Sequence, residues 1–520
     1  MPSKKNQNNI EDYEKVDINF SPKIPPLKTE KDKTKIDVRY SLISPFAYAH
    51  IYWDDNENEL VYDLEEPVLT EEEKEDRKNI THVMRNLINY EEIVEKGRDA
   101  LLDYIHKRLK IIVIEMGLEV SYESFKKIYY YMCRDFIGFN EIDPVLNDYF
   151  VEDIECNGVN TPVYLIHRKY RNLKTNIIYN DLENLKSFVE KLAQRAKKYI
   201  SYAQPILDGS LPDGSRVNAT YTEDITSRGP TYTIRKFTKV PWTPTQLISF
   251  KTLNSEMMAF LWMLVKYKMS LLIAGGTASG KTTLLNAIAF FIPPEARVVS
   301  IEDTREINLP RENWLPSVSR NATGVGNLGE VGLYTLLRAS FRQNPDYVIV
   351  GEVRGKEASV LFQGMASGHP SISTIHADSI GTVVKRLETR PIELSPTLMN
   401  VLDAICVMTH AIVDKQDTRK LREISEIVNV NSKGVALTNT PFKWNPQNDS
   451  FYFKSESKIF EKIQKRFGMN RNQVLNEFDS KVKLLKTLTQ KKVFGFKEFQ
   501  KIIMRYYKEP EKVLREYNIR

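Results

Sequence analysis

The stretch GGTASGKTT runs from Gly275 to Thr283 and matches the pattern GxxxxGK[ST]. It follows the apolar run SLLIA and precedes the apolar TTLLNAIAFF, as expected of a loop between a strand and a helix. Glycines let backbone amides wrap around phosphates, and the start of the helix adds its positive end. The sequence therefore predicts a phosphate-binding loop formed by Gly275, Gly276, Thr277, Ala278, Ser279, Gly280, Lys281, Thr282 and Thr283.

Further apolar runs alternate with helical patterns from about residue 253 onward. Strand-like runs separated by helices are typical of a largely parallel α/β sheet, in which ligands bind at the carboxyl edge of the strands. We predict four such strands, which are SLLIAGG, RVVSIED, YVIVGE and SISTIH. Lys281 would then reach the β- and γ-phosphates of a nucleotide, and the Thr282 hydroxyl would reach Mg²⁺.

Acidic residues follow two of these strands. RVVSIEDTREI brings Glu302, Asp303 and Glu306 to the carboxyl edge, where a carboxylate can orient and deprotonate an attacking water. The alternative for each acid is a solvated turn. The third strand, in DYVIVGEVRG, ends in Gly351 and Glu352 where an Asp usually meets the metal. Because Mg²⁺ keeps several waters, the longer Glu352 side chain could bind it through water.

Histidines and arginines offer further candidates. GHPSISTIHADS places His376 at the end of the fourth strand and His369 in the turn before it, which we interpret as two histidines at one rim. Phosphoryl transfer also needs cations, and an arginine finger is their usual source. Two candidates, Arg338 and Arg342, precede the third strand, and two more, Arg216 and Arg235, lie upstream. The alternative for each of them is a surface salt bridge.

Composition restricts the class of protein. The 520 residues are 42% hydrophobic and 27% charged, which is ordinary for globular domains. No apolar run approaches the roughly 18 residues of a membrane-spanning helix, and the polar N-terminus lacks a signal-peptide core, so we expect a cytosolic protein. Three scattered cysteines without CxxC spacing indicate neither a disulfide framework nor a zinc site.

The pattern predicts six segments: a flexible tail (1–35), a strand and helical module (36–137), a mixed α/β domain (138–240), a linker (241–252), the phosphate-binding α/β domain (253–454) and a basic helical appendix (455–520). The appendix carries 17 Lys and Arg residues against 8 Asp and Glu residues, a net charge of +9. Its lysines could be solvated helix faces, or a surface that docks on anionic lipid or an acidic partner.

Four segments in this order resemble the secretion ATPases of the type II/type IV superfamily: GGTASGKTT, SIEDTRE, LLRASFRQNPDYVIVGEVRG and GHPSISTIHADS. The resemblance covers roughly residues 151 to 430. NELVYDLEEPVLTEEEKE, SLPDGSRVNATY and TYTIRKF are similar to the archaeal branch, which drives pilus or archaellum assembly. The four-cysteine metal module of many bacterial type II motors is missing, which also favours that branch.

The resemblance implies a RecA-like P-loop motor domain that uses ATP and Mg²⁺, preceded by a mixed α/β domain and a small N-terminal module. It implies that Glu306 positions or deprotonates water and that Glu352 coordinates Mg²⁺ partly through water. Arg216 and Arg235 would close over the nucleotide, and His376 would couple the nucleotide to neighbouring elements. Members of this family form hexamers that push on a polytopic membrane platform protein.

We therefore expect a cytoplasmic homo-hexameric ATPase, peripheral to the inner face of the cell membrane, that powers assembly of an archaeal type IV-like pilus. The alternatives are an archaellum motor and a DNA-translocating ATPase of conjugation or uptake. A subunit that hydrolyses nothing is a third, which the presence of Lys281, Thr282, Glu306 and Glu352 disfavours. Nucleic acid is not expected as a partner, whereas contact with the membrane surface is compatible with the basic appendix.

Overall fold

The computed structural model describes residues 13–519 except 21, 26, 28–29, 31, 88–97, 238–239, 310, 321–328, 414–415, 432–433 and 455. The chain divides into two compact units, Met1–Phe237 and Thr238–Arg520. Each contains a large sheet, so the predicted α/β fold class is confirmed. Within the described residues, no helix combines the length and the apolar character needed to cross a membrane.

The strands of the first unit are β1 (Asp37–Ile43), β2 (Ala47–Asp54), β3 (Glu59–Glu65), β4 (Val151–Cys156), β5 (Pro162–His167), β6 (Arg171–Ile178), β7 (Ile206–Ser210), β8 (Arg216–Thr220) and β9 (Thr231–Arg235). They form one sheet in the order β1-β2-β3-β6-β5-β4-β9-β8-β7. Among the described strand pairs of this first sheet, only β3 and β6 are parallel. In HIYWDDNENELVYDLEEP, the apolar runs on either side of the polar Asp/Asn turn predict two short strands, and β2 and β3 form this hairpin.

The helices of this unit are α1 (Glu71–Leu87), α2 (Arg98–Glu115), α3 (Tyr122–Met132), α4 (Asp143–Asn147) and α5 (Leu182–Arg195). Thr70 caps α1 as its sequence predicts, since its hydroxyl accepts the Glu73 amide at 3.2 Å and Glu73 accepts the Thr70 amide at 2.9 Å. The α5 face formed by Leu185, Phe188 and Leu192 is buried against the sheet.

The predicted flexible tail has a packed part. Residues 1–12 lie outside the described residues, but Tyr13 and Val16 are buried. Tyr13 stacks on Phe125 at 4.3 Å and donates to the Val120 carbonyl at 2.8 Å. The tail composition argued against independent folding. It gave no sign that one aromatic side chain would find a partner on α3.

The strands of the second unit are β10 (Leu271–Gly275), β11 (Val298–Glu302), β12 (Trp314–Val318), β13 (Tyr347–Val350), β14 (Ser371–His376), β15 (Ala404–Val413), β16 (Gln416–Val430), β17 (Ala436–Asn445) and β18 (Ser450–Phe453). Their order is β12-β11-β13-β14-β10-β15-β16-β17-β18. The four predicted strands, β10, β11, β13 and β14, are present and parallel. The sheet continues through β15 into an antiparallel extension that the sequence did not predict.

The helices of the second unit are α6 (Pro244–Ser249), α7 (Ser255–Lys266), α8 (Lys281–Ala289), α9 (Leu333–Ser340), α10 (Glu357–Ala366), α11 (Ile380–Glu388), α12 (Pro396–Met399), α13 (Lys458–Phe467), α14 (Arg471–Gln490), α15 (Phe496–Lys508) and α16 (Pro510–Glu516). The stretch FGMNRNQVLNEF predicts a Gly/Asn break before a helix. The break is present, because Gly468 ends α13 with a φ of 65° and Asn470 caps α14.

The C-terminal helices share the core of the phosphate-binding domain. Trp262 of α7 stacks on Phe291 at 4.7 Å and contacts Tyr506 of α15 at 4.8 Å. The Tyr507 hydroxyl of α15 donates to the Phe291 carbonyl at 2.5 Å. The segment that the sequence treats as an appendix is therefore helical, as predicted, but its apolar faces form part of the core of this unit.

A buried lysine lies at this junction. The Lys481 side chain of α14 has no exposed surface, and its ammonium pairs with Glu477 and lies 5.2 Å from the Trp262 ring centre. Burial lowers the pKa of Lys481 to about 7. Glu477 also binds Lys266 at 2.7 Å. Burial raises the pKa of Glu477, but the two ammonium groups outweigh it and hold that pKa at about 2.

Replacing Glu477 with Gln should lower the free energy of unfolding by about 3 kcal/mol at pH 6, because Lys481 would stay buried without its counter-charge. An unfolded Glu titrates near 4.5, so the stabilisation by Glu477 is complete above that pH and is lost as the pH falls toward 2. The difference between wild type and variant, measured by urea unfolding with tryptophan fluorescence, should therefore shrink below pH 4.5.

The matched control is Glu461→Gln, which breaks the exposed Lys458–Glu461 pair of 2.8 Å and should change stability little. Equal effects of the two substitutions at pH 6 would contradict the assigned role of the buried pair.

Candidate nucleotide site

The predicted phosphate-binding loop lies between β10 and α8. Every residue of β10 is buried, and the strand ends at Gly275. A Cβ atom there would lie 2.3 Å from the Ser279 hydroxyl and 2.9 Å from the Met408 carbonyl, so only glycine fits. Ala278 and Gly280 have φ values of 56° and 91°, which turn the chain directly into α8. The loop thus places the start of α8 at the carboxyl edge of the sheet. The positive end of the helix favours the binding of an anion at this edge.

Lys281 is the first residue of α8 and is only 9% exposed. Its ammonium donates to the Gly276 carbonyl at 2.8 Å and lies 3.4 Å from His376 Nε2. Burial lowers the pKa of Lys281, although Glu352 and Glu306 act in the opposite direction. The cation is therefore held over the loop with two carboxylates near it.

Thr282 and Asn286, one turn apart on α8, hold the acidic segment. The Thr282 hydroxyl donates to Glu306 Oε2 at 2.9 Å. The Asn286 amide donates to the Glu306 carbonyl at 3.1 Å and accepts the Asn308 amide at 3.0 Å. Glu306 is exposed and faces the loop. Sequence reasoning missed Asn286, although a polar residue in the apolar TTLLNAIAFF was a usable signal.

The three acids after β11 separate into different environments. Glu302 is 2% exposed, and its Oε1 accepts the amides of Glu306 and Ile307, each at 2.8 Å. Burial raises the pKa of Glu302 to about 8 and outweighs the two hydrogen bonds, which lower it. The carboxyl is therefore mostly protonated at neutral pH. Asp303 pairs with Arg354. Only Glu306 of the three contacts the phosphate-binding loop.

Glu352 and His376 lie at the ends of the neighbouring strands β13 and β14. Glu352 Oε1 is 3.5 Å from His376 Nε2, so His376 stands between Glu352 and Lys281. Burial, followed by the charge of Lys281, lowers the pKa of His376. Gly351 permits a close approach, since a Cβ there would lie 3.2 Å from Glu302 Cγ.

His369 does not join the site, and the expectation of two histidines at one rim is wrong. It precedes β14 and packs edge-on against Phe341 at 5.0 Å, whereas His376 ends the same strand. The five steps from Ser371 to His376, of about 3.3 Å each, therefore put the two histidines at opposite ends of β14.

The candidate arginines belong to both units. Arg216 and Arg235 are register partners on β8 and β9 of the first unit. They bind Asp208 and Asp153, each at 3.1 Å. In the second unit, the exposed Arg338 lies 5.8 Å from the Tyr334 ring centre, and Arg342 is exposed. Sequence reasoning missed Arg354 of DYVIVGEVRG, which pairs with Asp303.

The chain is similar to known proteins over most of its length. The family profile described as "Type II/IV secretion system protein" matches residues 160–445. The uncharacterized protein MJ0900 of Methanocaldococcus jannaschii is 33% identical and aligns over 94% of this chain and 93% of its own length. The conjugal transfer protein TrbB of Rhizobium radiobacter is 32% identical over 44% of this chain and 68% of its own length.

Among solved structures, the VirB11 ATPase of the Brucella suis type IV secretion system is 25% identical, with 54% of this chain and 90% of that chain covered and a TM-score of 0.28. The profile spans more than half of the 520 residues, from β5 to β17, and includes every residue of the cluster around Lys281. This chain therefore belongs to the type II/IV secretion system protein family.

Proposed function

We propose that this protein is a Mg²⁺-dependent ATPase of the cytoplasm, peripheral to the inner face of the cell membrane. It works as a homo-hexameric ring and powers assembly of an archaeal type IV-like pilus through a polytopic membrane platform protein. The observation that carries the proposal is the convergence of Lys281, Thr282, Glu306, Glu352 and His376 at the end of β10. Membership of the secretion family and similarity to an archaeal protein along nearly its whole length support it.

Each side chain of the cluster takes one role. The Lys281 ammonium offsets the negative charge of the β- and γ-phosphates. The Glu306 carboxylate, held by Thr282, orients the attacking water and accepts its proton. His376 touches both Lys281 and Glu352 and thereby couples the nucleotide to β14.

Thr282 and Glu352 are the residues that would hold Mg²⁺. No group of three or more His, Cys, Asp or Glu side chains in the described part of the chain is arranged to hold a metal. One hydroxyl and one carboxylate, completed by water, nevertheless fit Mg²⁺, which usually takes one or two protein carboxylates and keeps several waters. When bound, the ion neutralises charge on the β- and γ-phosphates.

Arg216 and Arg235 are the proposed further cations for the nucleotide. Because they are register partners, one displacement of the β8–β9 pair would move both guanidinium groups together. Both ion pairs are at least partly exposed, so exchanging a carboxylate for a phosphate costs little at either position.

A DNA-translocating motor is the second candidate, favoured by the similarity to the conjugal transfer protein TrbB. Phosphate contacts would make DNA-stimulated hydrolysis fall steeply with salt. Stimulation by duplex DNA and not by anionic vesicles would overturn the pilus proposal. The archaellum motor differs from our choice only in its platform, so the platform protein recovered with this chain from membranes decides between them.

Lys281→Ala should lower ATP turnover by at least about 10²-fold, since no other side chain offsets the phosphate charge from the loop. Phosphate release by the purified protein measures this effect. Near-wild-type turnover would refute the assignment of the loop.

Glu306→Gln should keep Mg-ATP binding and lose most turnover, by about 10²-fold or more. Glu352→Gln should instead weaken the Mg²⁺-dependent part of ATP binding. Titration with a fluorescent ATP analogue, with and without Mg²⁺, separates the two effects. Exchanged phenotypes would reverse the roles of the two acids.

Glu302→Gln should keep turnover near wild type, because a neutral amide can still accept the amides that orient Glu306. Glu302→Ala should lower turnover by about 10²-fold through misplacement of Glu306.

Between pH 4.5 and about 8 the unfolded chain binds fewer protons at Glu302 than the folded chain. Wild type should therefore lose stability relative to Glu302→Gln as the pH rises through this window, which thermal unfolding measures. A turnover in Glu302→Gln as low as that in Glu302→Ala would contradict the positioning role.

A further inference from the structure

A cavity of about 810 Å³ lies between α15 and the segments that follow α8 and β11. We call it the α15 groove. Its lining contains five cationic side chains and two carboxylates, which are Arg311, Lys497, Lys501, Arg505 and Lys508 with Glu295 and Glu312. Ligand sites in proteins commonly have volumes of about 300–1,000 Å³, so the groove can hold a bound group.

One wall of the groove is a ridge of lysines. Lys497, Lys501 and Lys508 recur at intervals of four and seven along α15, so they share one helix face, and all three are exposed. Within the described residues, none of the three forms an ion pair. Lysines of the neighbouring C-terminal helices do form ion pairs: Lys458 of α13 binds Glu461 at 2.8 Å, and Lys512 of α16 binds Glu509 at 3.1 Å. Arg505 is likewise held by Glu516 at 2.6 Å.

Apolar and acidic side chains also line the groove and restrict the ligand. The apolar ones include the buried Phe290 and Ile503 and the 38% exposed Met504, which lies on the same face of α15 as the lysines. The exposed carboxylates of Glu295 and Glu312 also line the groove. A flat lipid surface would reach the exposed lysines without filling a cavity of this volume, and a continuous phosphate backbone would meet these carboxylates. A peptide can place an apolar side chain against Met504 and its acids against the lysines.

We propose that the α15 groove binds an acidic amphipathic peptide segment of a partner protein. Three lysines on one helix face, which form no ion pair among the described residues, provide the charge complementarity, and the exposed Met504 between them offers an apolar contact for the non-polar side of the segment. This inference goes beyond the proposed function, because it depends neither on the filament that is built nor on ATP hydrolysis.

The groove lies at the carboxyl end of the P-loop helix. Arg311, in its lining, donates to the carbonyls of Ile292 at 2.7 Å and Ala296 at 3.0 Å. Tyr507, also in the lining, donates to the Phe291 carbonyl. The helix α8 has nine residues, about 13 Å in length, and begins with Lys281. A peptide bound in the groove would therefore contact Arg311 and Tyr507, which bond the segment directly after α8. The phosphate-binding loop lies at the other end of the same helix.

The test uses a fluorescein-labelled 16-residue peptide with Glu along one edge and Leu along the other, and fluorescence anisotropy with the full-length protein. Lys497→Gln with Lys501→Gln should weaken binding about tenfold, since two partly exposed charge pairs are lost. Lys465→Gln with Lys486→Gln removes the same charge from exposed positions outside the groove and should change affinity less than about twofold.

A second variant, Met504→Asp, adds a carboxylate between the lysines and should weaken binding of the same peptide by a similar factor. A peptide with Gln in place of Glu should bind at least about tenfold more weakly to the wild type. Equal losses in the two double lysine variants would overturn the proposal. So would tighter binding of phosphatidylglycerol vesicles or of duplex DNA through Lys497 and Lys501.

Discussion

The end of β10 is the constraint on which the nucleotide site depends. The strand is buried on both faces, and Gly275 at its end has no room for a side chain beside Ser279 and Met408. The chain must therefore turn at once, through left-handed Ala278 and Gly280, into α8. That turn fixes Lys281 and Thr282 at the sheet edge, and the neighbouring strands deliver the acids to them.

The helix α8 links this edge to the rest of the second unit. Near its start, Thr282 and Asn286 hold the segment of Glu306. After its end, Tyr507 donates to the carbonyl of Phe291, and Arg311 donates to the carbonyls of Ile292 and Ala296. The C-terminal helices therefore share the core of the second unit. The peptide proposed for the α15 groove would contact residues that bond the segment directly after α8.

Protonation separates two acids that look alike in the sequence. Glu302 and Glu306 are four residues apart in SIEDTRE, and each could activate water by its chemistry. The structure buries the first, raises its pKa to about 8 and commits it to two backbone amides. The second stays exposed beside Thr282. Burial, which depends on the neighbouring strands, makes this distinction.

Much of the site could be predicted because its signals are local. Strand periodicity, the glycine spacing of the loop and the acids after each strand determined the parallel strands and the cluster around Lys281. Contacts between residues distant in sequence could not be predicted this way. Examples are the Tyr13–Phe125 stack, the antiparallel strands after β15, and the burial of Lys481 against Trp262. The sequence by itself determined which chemical groups stand at each strand end. Only the tertiary structure decided which are buried, paired or left unpaired, because desolvation and charge pairing arise from the packing of distant segments.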